Sequence, residues 1–223
     1  MKTVANYRHP VRTAGSFVCY LLLVGLLSAC AGLVDKPVTR TLYDFGPLAP
    51  AAAEAAARPA GLPAIVLADL DAGGALDGSA VLYRLGYADA YQLRSYAHAR
   101  WGAPPPQLIR QRLREQLGRD RVVLNLGESA ALAREGSVLP RVLRIELEEF
   151  SQYFESPAQS VGVMRLRATL LENTIAGEKL LAQRSFSLQR PAPTADATGG
   201  VRALIVATDA AAEEIGLWLQ QTR

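Results

Sequence analysis

The 223 residues carry 24 Lys+Arg against 21 Asp+Glu, a net charge of +3, with 50% hydrophobic residues and two cysteines. That apolar content belongs to a globular chain and excludes a disordered one. Three of the basic residues, Lys2, Arg8 and Arg12, fall within the first 29 positions, which hold none of the acidic ones. The remainder is close to neutral and offers no global field for a nucleic acid or another polyanion.

The amino terminus has the layout of an export signal. Lys2, Arg8 and Arg12 form a cationic stretch, and Phe17 to Leu27 an apolar stretch too short to span a bilayer as a mature helix. It ends in Leu27-Ser28-Ala29-Cys30, which reads as a lipobox: two small residues that fit a peptidase groove, then a thiol to be acylated. An ordinary secretory signal that contains a cysteine, or a short membrane anchor, would be the alternatives. The leucine, small residues and cysteine all falling where the apolar stretch ends favour the lipobox. Cys19 is lost with the segment cleaved before Cys30, and Cys30 itself is acylated, leaving no disulfide, cysteine-ligated metal or cysteine nucleophile. Three acyl chains, at roughly 0.8 kcal/mol per buried methylene, would anchor the protein without spanning the membrane. Ala31 stands where an aspartate would, by the enterobacterial sorting rule, retain the protein at the inner membrane. Its presence points to the periplasmic face of the outer membrane. The expected organisation is a signal peptide over residues 1–29, an acylated tether over 30–40 and one domain over 41–223. Residues 31 to 40 would reach at most roughly 35 Å.

Thr41 to Phe45 alternates as a strand does and stops at Gly46-Pro47. Residues 47–61 form an Ala/Pro-rich linker in which Ala51 to Arg58 has room for two helical turns. Leu62 to Leu70 reads as a buried strand turned by Asp71 to Gly74. Val81 to Arg84 and Tyr91 to Ala97 read as two more, the three suggesting a small meander. Prolines 104 to 106 open a helix, with Ile109, Leu113 and Leu117 on one stripe and Gly118 at its end. A short strand, Val122 to Leu126, and a Gly/Ser-containing loop follow.

Three long strands come next, over Arg141 to Phe154, Ser160 to Glu172 and Leu180 to Gln189. Leu143, Ile145 and Leu147 alternate with Arg144, Glu146 and Glu148, and Met164 to Leu170 repeats the scheme, as in a sheet with one wet face. Ser156-Pro157 and Asn173 to Gly177 suit hairpins, which would bring Glu146 or Glu148 opposite Arg165 or Arg167. A last helix is expected over Gly200 to Gln221, with Val201, Leu204, Ile205, Thr208, Ala212, Ile215 and Trp218 or Leu219 on its apolar stripe. The fold class is therefore α/β: a single domain with a mixed or mostly antiparallel sheet packed with two main helices. No internal repeat is present.

Catalytic constellations are missing. His98 is the sole histidine after processing, which removes multi-histidine metal sites and a histidine relay. The string Asp69-x-Asp71-x-Gly73 begins like a calcium loop, but Ala80 occupies the place of its bidentate glutamate. No nucleophile elbow and no phosphate-binding glycine loop occur. The chain reads as a non-enzyme with no cofactor. Arg110, Arg112, Arg114, Arg119 and Arg121 form the local basic cluster. Because Arg112 points about 200° from Arg110 on a helix, they do not make one stripe. A solvated helix surface is the plainer reading, attraction to anionic headgroups or an acidic partner the functional one.

The lipobox, Tyr43-Asp44-Phe45-Gly46-Pro47, Tyr83-Arg84, Tyr91 to Ala97, Trp101-x-x-Pro104-Pro105 before a helix, and a closing helix ending in Trp218 together resemble the ABC-type transport auxiliary lipoproteins, the paraquat-inducible lipoprotein C-like family. The resemblance runs over nearly the whole mature chain. It implies a periplasmic accessory of a lipid-transport system built from an MCE-domain substrate-binding protein, a permease and an ATPase, moving phospholipid or other hydrophobic substrates between the two membranes. The family has no catalytic residues to carry over, and homo-oligomers are compatible with it. The alternative is a structural outer-membrane assembly or cell-wall-synthase-activating lipoprotein, which would share the anchor, tether and small domain.

A protein that works by contact needs aromatic and arginine anchors. Tyr83, Tyr91, Arg94, Tyr96 and Trp101 are the densest group and the candidate partner surface, with alternation placing Tyr91 and Leu93 on one side and Arg94 and Tyr96 on the other. For the anchor, Cys30→Ser is expected to abolish metabolic palmitate labelling and leave an uncleaved precursor. Unchanged labelling would remove the lipobox.

Overall fold

Residues 39–47, 61–127, 139–174 and 176–222 are described by a computed structural model. Cys30, the signal segment, residues 48–60 of the linker and most of the loop before Leu139 lie outside them. The eight strands are β1 (Thr41–Tyr43), β2 (Leu62–Ala72), β3 (Ala80–Leu85), β4 (Ala90–Trp101), β5 (Arg121–Leu124), β6 (Arg141–Ser156), β7 (Gln159–Thr174) and β8 (Gly177–Pro191). The helices are α1 (Gly86–Asp89), α2 (Pro105–Leu117) and α3 (Ala197–Gln221).

The alternation read for the long strands is what builds the sheet. Leu143, Ile145 and Leu147 of β6 and Met164, Leu166, Ala168 and Leu170 of β7 are buried on one face. β6, β7 and β8 run as successive antiparallel hairpins. On the other face Arg167 bridges both Glu148 (2.5 Å) and Glu146 (3.6 Å). Arg165 takes no share in this pairing, because a bulge at Glu148 shifts the register and sets Arg165 opposite Glu149.

The opposite edge of β6 is shared by two strands end to end. Its first half pairs in parallel with β2, from Ile65 opposite Arg141 to Ala72 opposite Leu147. Its far end pairs in parallel with β3, from Tyr83 opposite Gln152 to Leu85 opposite Phe154. The meander expected of β2, β3 and β4 is thereby corrected: β3 and β4 are antiparallel neighbours, but β2 lies between β5 and β6, parallel to both. Ile65 to Ala68 are all buried, with Val66 and Ala68 in a second small cluster beside Val142 and Leu171. A strand apolar on both sides suits an interior parallel position rather than a half-wet hairpin. The sheet is mixed, and the domain is α/β as expected.

The first strand is shorter than read. It ends at Tyr43, after pairing in parallel with β4, because the Asp44 carboxylate accepts the Gly46 N–H (2.8 Å) and turns the chain. Phe45 then drops into the core edge-on to Trp101, 5.5 Å between ring centres. Helix α2 buries Ile109, Leu113 and Leu117 as their spacing required. It packs on β2 and α3, while α3 packs on β6, β7 and β8. Arg112 is buried between these parts, donating to the Phe45 carbonyl (2.6 Å) and lying 3.1 Å from Asp209 of α3.

α3 begins three residues earlier than its apolar stripe suggested. Asp196 caps it, its Oδ1 accepting from the Gly199 N–H and the Thr194 hydroxyl, 2.8 Å each. The first turns then lie directly on the sheet. A Cβ on Gly200 would stand 2.0 Å from Gln152 Oε1, and one on Gly162 of β7 2.8 Å from Ala203, so both positions exclude a side chain. Of the stripe below them, Val201, Leu204, Thr208, Ala212, Ile215, Trp218 and Leu219 are buried as read, while Ile205 is half-buried at its edge, and Trp218 meets Phe186 edge-on at 6.0 Å. Among the described residues no helix is long and apolar enough to cross a membrane.

The helix-to-sheet contact sets two expectations. Ile215→Ala should lower unfolding free energy by about 2 to 5 kcal/mol, read from denaturant midpoints, while Val206→Ala on the exposed side should stay within about 0.5 kcal/mol. The Asp196 carboxylate is held below its ordinary value of 3.8, first by the Gly199 N–H and then by the Thr194 hydroxyl. Its contribution is therefore complete above that value and is lost as pH falls through the lower, folded one. Asp196→Asn keeps the cap and should make the acid limb of the stability profile shallower. An unchanged acid limb would contradict the cap's charge dependence.

Candidate contact surface and cavities

The β3–α1–β4 segment holds the residues singled out from the sequence, and the structure divides them. Trp101 is 2% exposed, packed among Phe45 and Phe150, and belongs to the core rather than to a partner surface. The reason is β1: Tyr43 lies opposite Trp101, so β4 is an interior strand at that end. Tyr83 and Tyr96 are half-buried with their rings tilted by 38° and their centres 4.5 Å apart, and Phe154 is edge-on to Tyr83 at 6.0 Å. Tyr96 donates its hydroxyl to Gln152 Oε1 (2.8 Å), and Gln152, fully buried, donates to Ser160 Oγ (2.8 Å). Burial, and then the neighbouring Tyr83 and Asp196, hold the Tyr96 phenol in its neutral form by raising its pKa. This pair is structural. The alternation expected to separate Leu93 from Tyr96 is reset by a register shift between β3 and β4, and both pack against the core.

Tyr91 and Arg94 are the exposed remainder. Tyr91 is 96% exposed at the tip, just past α1, with its N–H held by Asp89 Oδ1 (2.9 Å). Arg94 lies on the surface, its guanidinium donating to Gln92 Oε1 (2.6 Å). Tyr87 of α1 adds a second half-exposed ring. Below the tip, Arg84 forms a two-pronged pair with Glu149 (3.2 and 3.4 Å) that fixes β3 to β6. The tip therefore presents solvent-facing aromatics on a braced hairpin.

The basic cluster on and after α2 is dispersed. Arg110 donates to the Leu67 and Ala68 carbonyls and pairs with Asp69 at 3.3 Å, and Arg110 and Arg114 both donate to Asn125 Oδ1. The Arg110 guanidinium stitches α2 to β2, with Asp69, the first residue of the calcium-like string, as its counter-ion, while Arg114 ties α2 to Asn125 just after β5. His98 is exposed on β4.

Two cavities lie at the end of the sheet where β2, β5 and β6 begin. One, of about 610 Å³, is walled by Leu62, Ile65, Leu139, Leu170 and Leu219. The other, of about 600 Å³, lies between the end of α2 and α3, beside Leu117, Val206 and Leu217, with Arg119, Asp209 and Glu213. Arg121 lines both. It is 7% exposed, and burial lowers its pKa against the opposing field of Asp120. It makes no ion pair or side-chain hydrogen bond among the described residues. Sequence reading placed Arg121 in the basic cluster and missed this setting. The available signal was strand alternation, since Arg121 and Val123 share the buried face of β5.

A model of the ABC-type transport auxiliary lipoprotein component family matches residues 43–216. A comparison with curated proteins finds no match. Among solved structures, protein XCC0632 from Xanthomonas campestris, of family DUF330, shares the fold at a TM-score of 0.61 and 18% identity, over 82% of this chain and 96% of its own. An uncharacterized protein of known structure aligns at 0.59 and 16% identity, over 81% of this chain and 99% of its own. The match from Tyr43 to Gly216 spans the folded region just described, and this chain belongs to the family of ABC-type transport auxiliary lipoprotein components.

Proposed function

We propose that this protein is the periplasmic accessory of an MCE-type ABC system that moves phospholipid or other hydrophobic substrates between the inner and outer membranes, held by acyl chains on Cys30 at the periplasmic face of the outer membrane. The observation that carries this reading is the family match over residues 43–216, and Leu27-Ser28-Ala29-Cys30 supplies the anchor. The protein acts by contact rather than by catalysis, with the MCE-domain substrate-binding protein as its partner.

The tip formed by Tyr87, Tyr91 and Arg94 is the surface assigned to that partner. Exposed tyrosines supply large contact area at low entropic cost, and an arginine beside them adds directional donors. Removing either anchor changes no core contact, because Tyr91 is almost wholly in solvent and Arg94 bonds only its neighbour Gln92 among the described residues. Crosslinking the full-length protein in membranes to the MCE protein encoded with it should give a specific adduct. Tyr91→Ala and Arg94→Glu should each weaken that adduct several-fold while shifting the melting temperature by no more than a few degrees. Wild-type-like crosslinking in both variants would place the partner surface elsewhere, and absence of any adduct with the wild type would remove the MCE assignment.

A further inference from the structure

The Arg121 guanidinium is the unusual group of this fold. Arg112 is committed to Asp209 and the Phe45 carbonyl, Arg84 to Glu149, and Arg110 to Asp69 and two carbonyls, whereas Arg119, on the neighbouring cavity, has a buried Nε without a partner. Arg121 is as buried as Arg112, remains charged, and has no hydrogen-bonded counter-ion among the described residues. Its nitrogens are not sealed in the core but keep contact with the cavities that it lines, so an anion entering one of them can reach the charge and pair with it.

The space beside it has the complementary character. The cavity walled by Leu62, Ile65, Leu139, Leu170 and Leu219 is apolar, and its volume of about 610 Å³ falls within the roughly 300 to 1,000 Å³ of small-ligand sites. Its other charged lining groups are already engaged. Arg141 donates to the Thr222 carbonyl (2.8 Å), and Glu172 lies 3.9 Å from Lys179. A ligand that fits must bring a long apolar body and a single acidic head. Soluble phosphate has no apolar body, and a neutral hydrocarbon would leave Arg121 unanswered.

We propose that this cavity binds one acyl chain of an anionic amphiphile, the chain lying among Leu62, Ile65, Leu170 and Leu219 and the acid group against Arg121. A fatty-acid carboxylate and a phospholipid phosphate diester share this chemistry. The site lies at the Arg141 end of β6 and the Tyr91 tip near its Phe154 end, so lipid capture and partner contact use separate surfaces. The proposal does not rest on the identity of the transport partner.

The test uses the full-length anchored protein in phosphatidylcholine nanodiscs, with two photoreactive probes: diazirine-bearing palmitate, and phosphatidylglycerol with a diazirine on one chain. Adducts mapped by mass spectrometry should fall on the peptides containing Leu62 to Ile65 and Leu219. Labelling should drop at least tenfold in Arg121→Gln, which removes the head-group contact, and in Ala64→Trp, which fills the cavity from its lining. Arg121→Gln should melt within a few degrees of wild type, since it breaks no hydrogen-bonded ion pair. Labelling by palmitate alone assigns a free fatty acid, and labelling by phosphatidylglycerol assigns a phospholipid. Adducts scattered over the surface, no adducts, or undiminished labelling in Arg121→Gln would overturn the proposal. Should Arg121→Gln precipitate, undiminished labelling in Ala64→Trp overturns it alone. Loss of partner crosslinking in the Tyr91 variant leaves this labelling unchanged, so the two readings fail separately.

Discussion

Strand β6 carries three strands on two edges, and its hydrogen-bonding capacity is the constraint around which the domain is arranged. One edge is filled by β7 along nearly its whole length, and the other is divided between β2 and β3. Sixteen residues make that division feasible, because a strand of ordinary length, about five or six residues, could not serve both. The bulge at Glu148 lies where β2 stops and before β3 begins. It re-aims the strand so that Phe150 still points into the core beside Trp101 while Gln152, two residues on, meets the first turns of α3. The close contact at Gly162 and Gly200 and the Tyr96–Gln152–Ser160 chain of hydrogen bonds then fix that end of the helix.

Charge is distributed by the same geometry. On the wet face, Arg167 with Glu146 and Glu148 is solvated, and pairs of this kind contribute little to stability. The arginines that matter structurally lie where elements meet: Arg84 joins β3 to β6, Arg110 joins α2 to β2, and Arg112 joins α2, α3 and the turn after β1. Arg121 departs from this pattern. It occupies a core-facing position of a short parallel strand and opens onto two cavities without a hydrogen-bonded ion pair.

The candidate site was legible in part. Tyr83, Tyr96 and Trp101 are aromatic for reasons of packing, and only Tyr91 and Arg94 of the proposed group lie free at the surface. Composition could not sort them, because a tyrosine is equally suited to a stacked, hydrogen-bonded interior and to an exposed tip. The sorting depends on β1, whose residues lie 58 positions upstream of their partners and which covers the Trp101 end of β4 while leaving the Tyr91 end open. The cavity was not legible at all, since its walls come from β2, β6, β7 and α3.

By itself the sequence determined what local chemistry determines. Alternation marked the three long strands and their buried faces, the i, i+4 spacing of Ile109, Leu113 and Leu117 marked α2, and Pro157 and Gly177 marked the hairpins, because each signal depends on neighbours within a few residues. Tertiary structure decided which strands pair in parallel, that β2 and β3 share one edge of β6, which tyrosines are buried, and that Arg121 faces a cavity. Those outcomes depend on contacts between residues tens of positions apart, and an apolar strand such as Leu62 to Leu70 satisfies its burial beside many partners. Only the competition among all eight strands for the edges of β6 selects one.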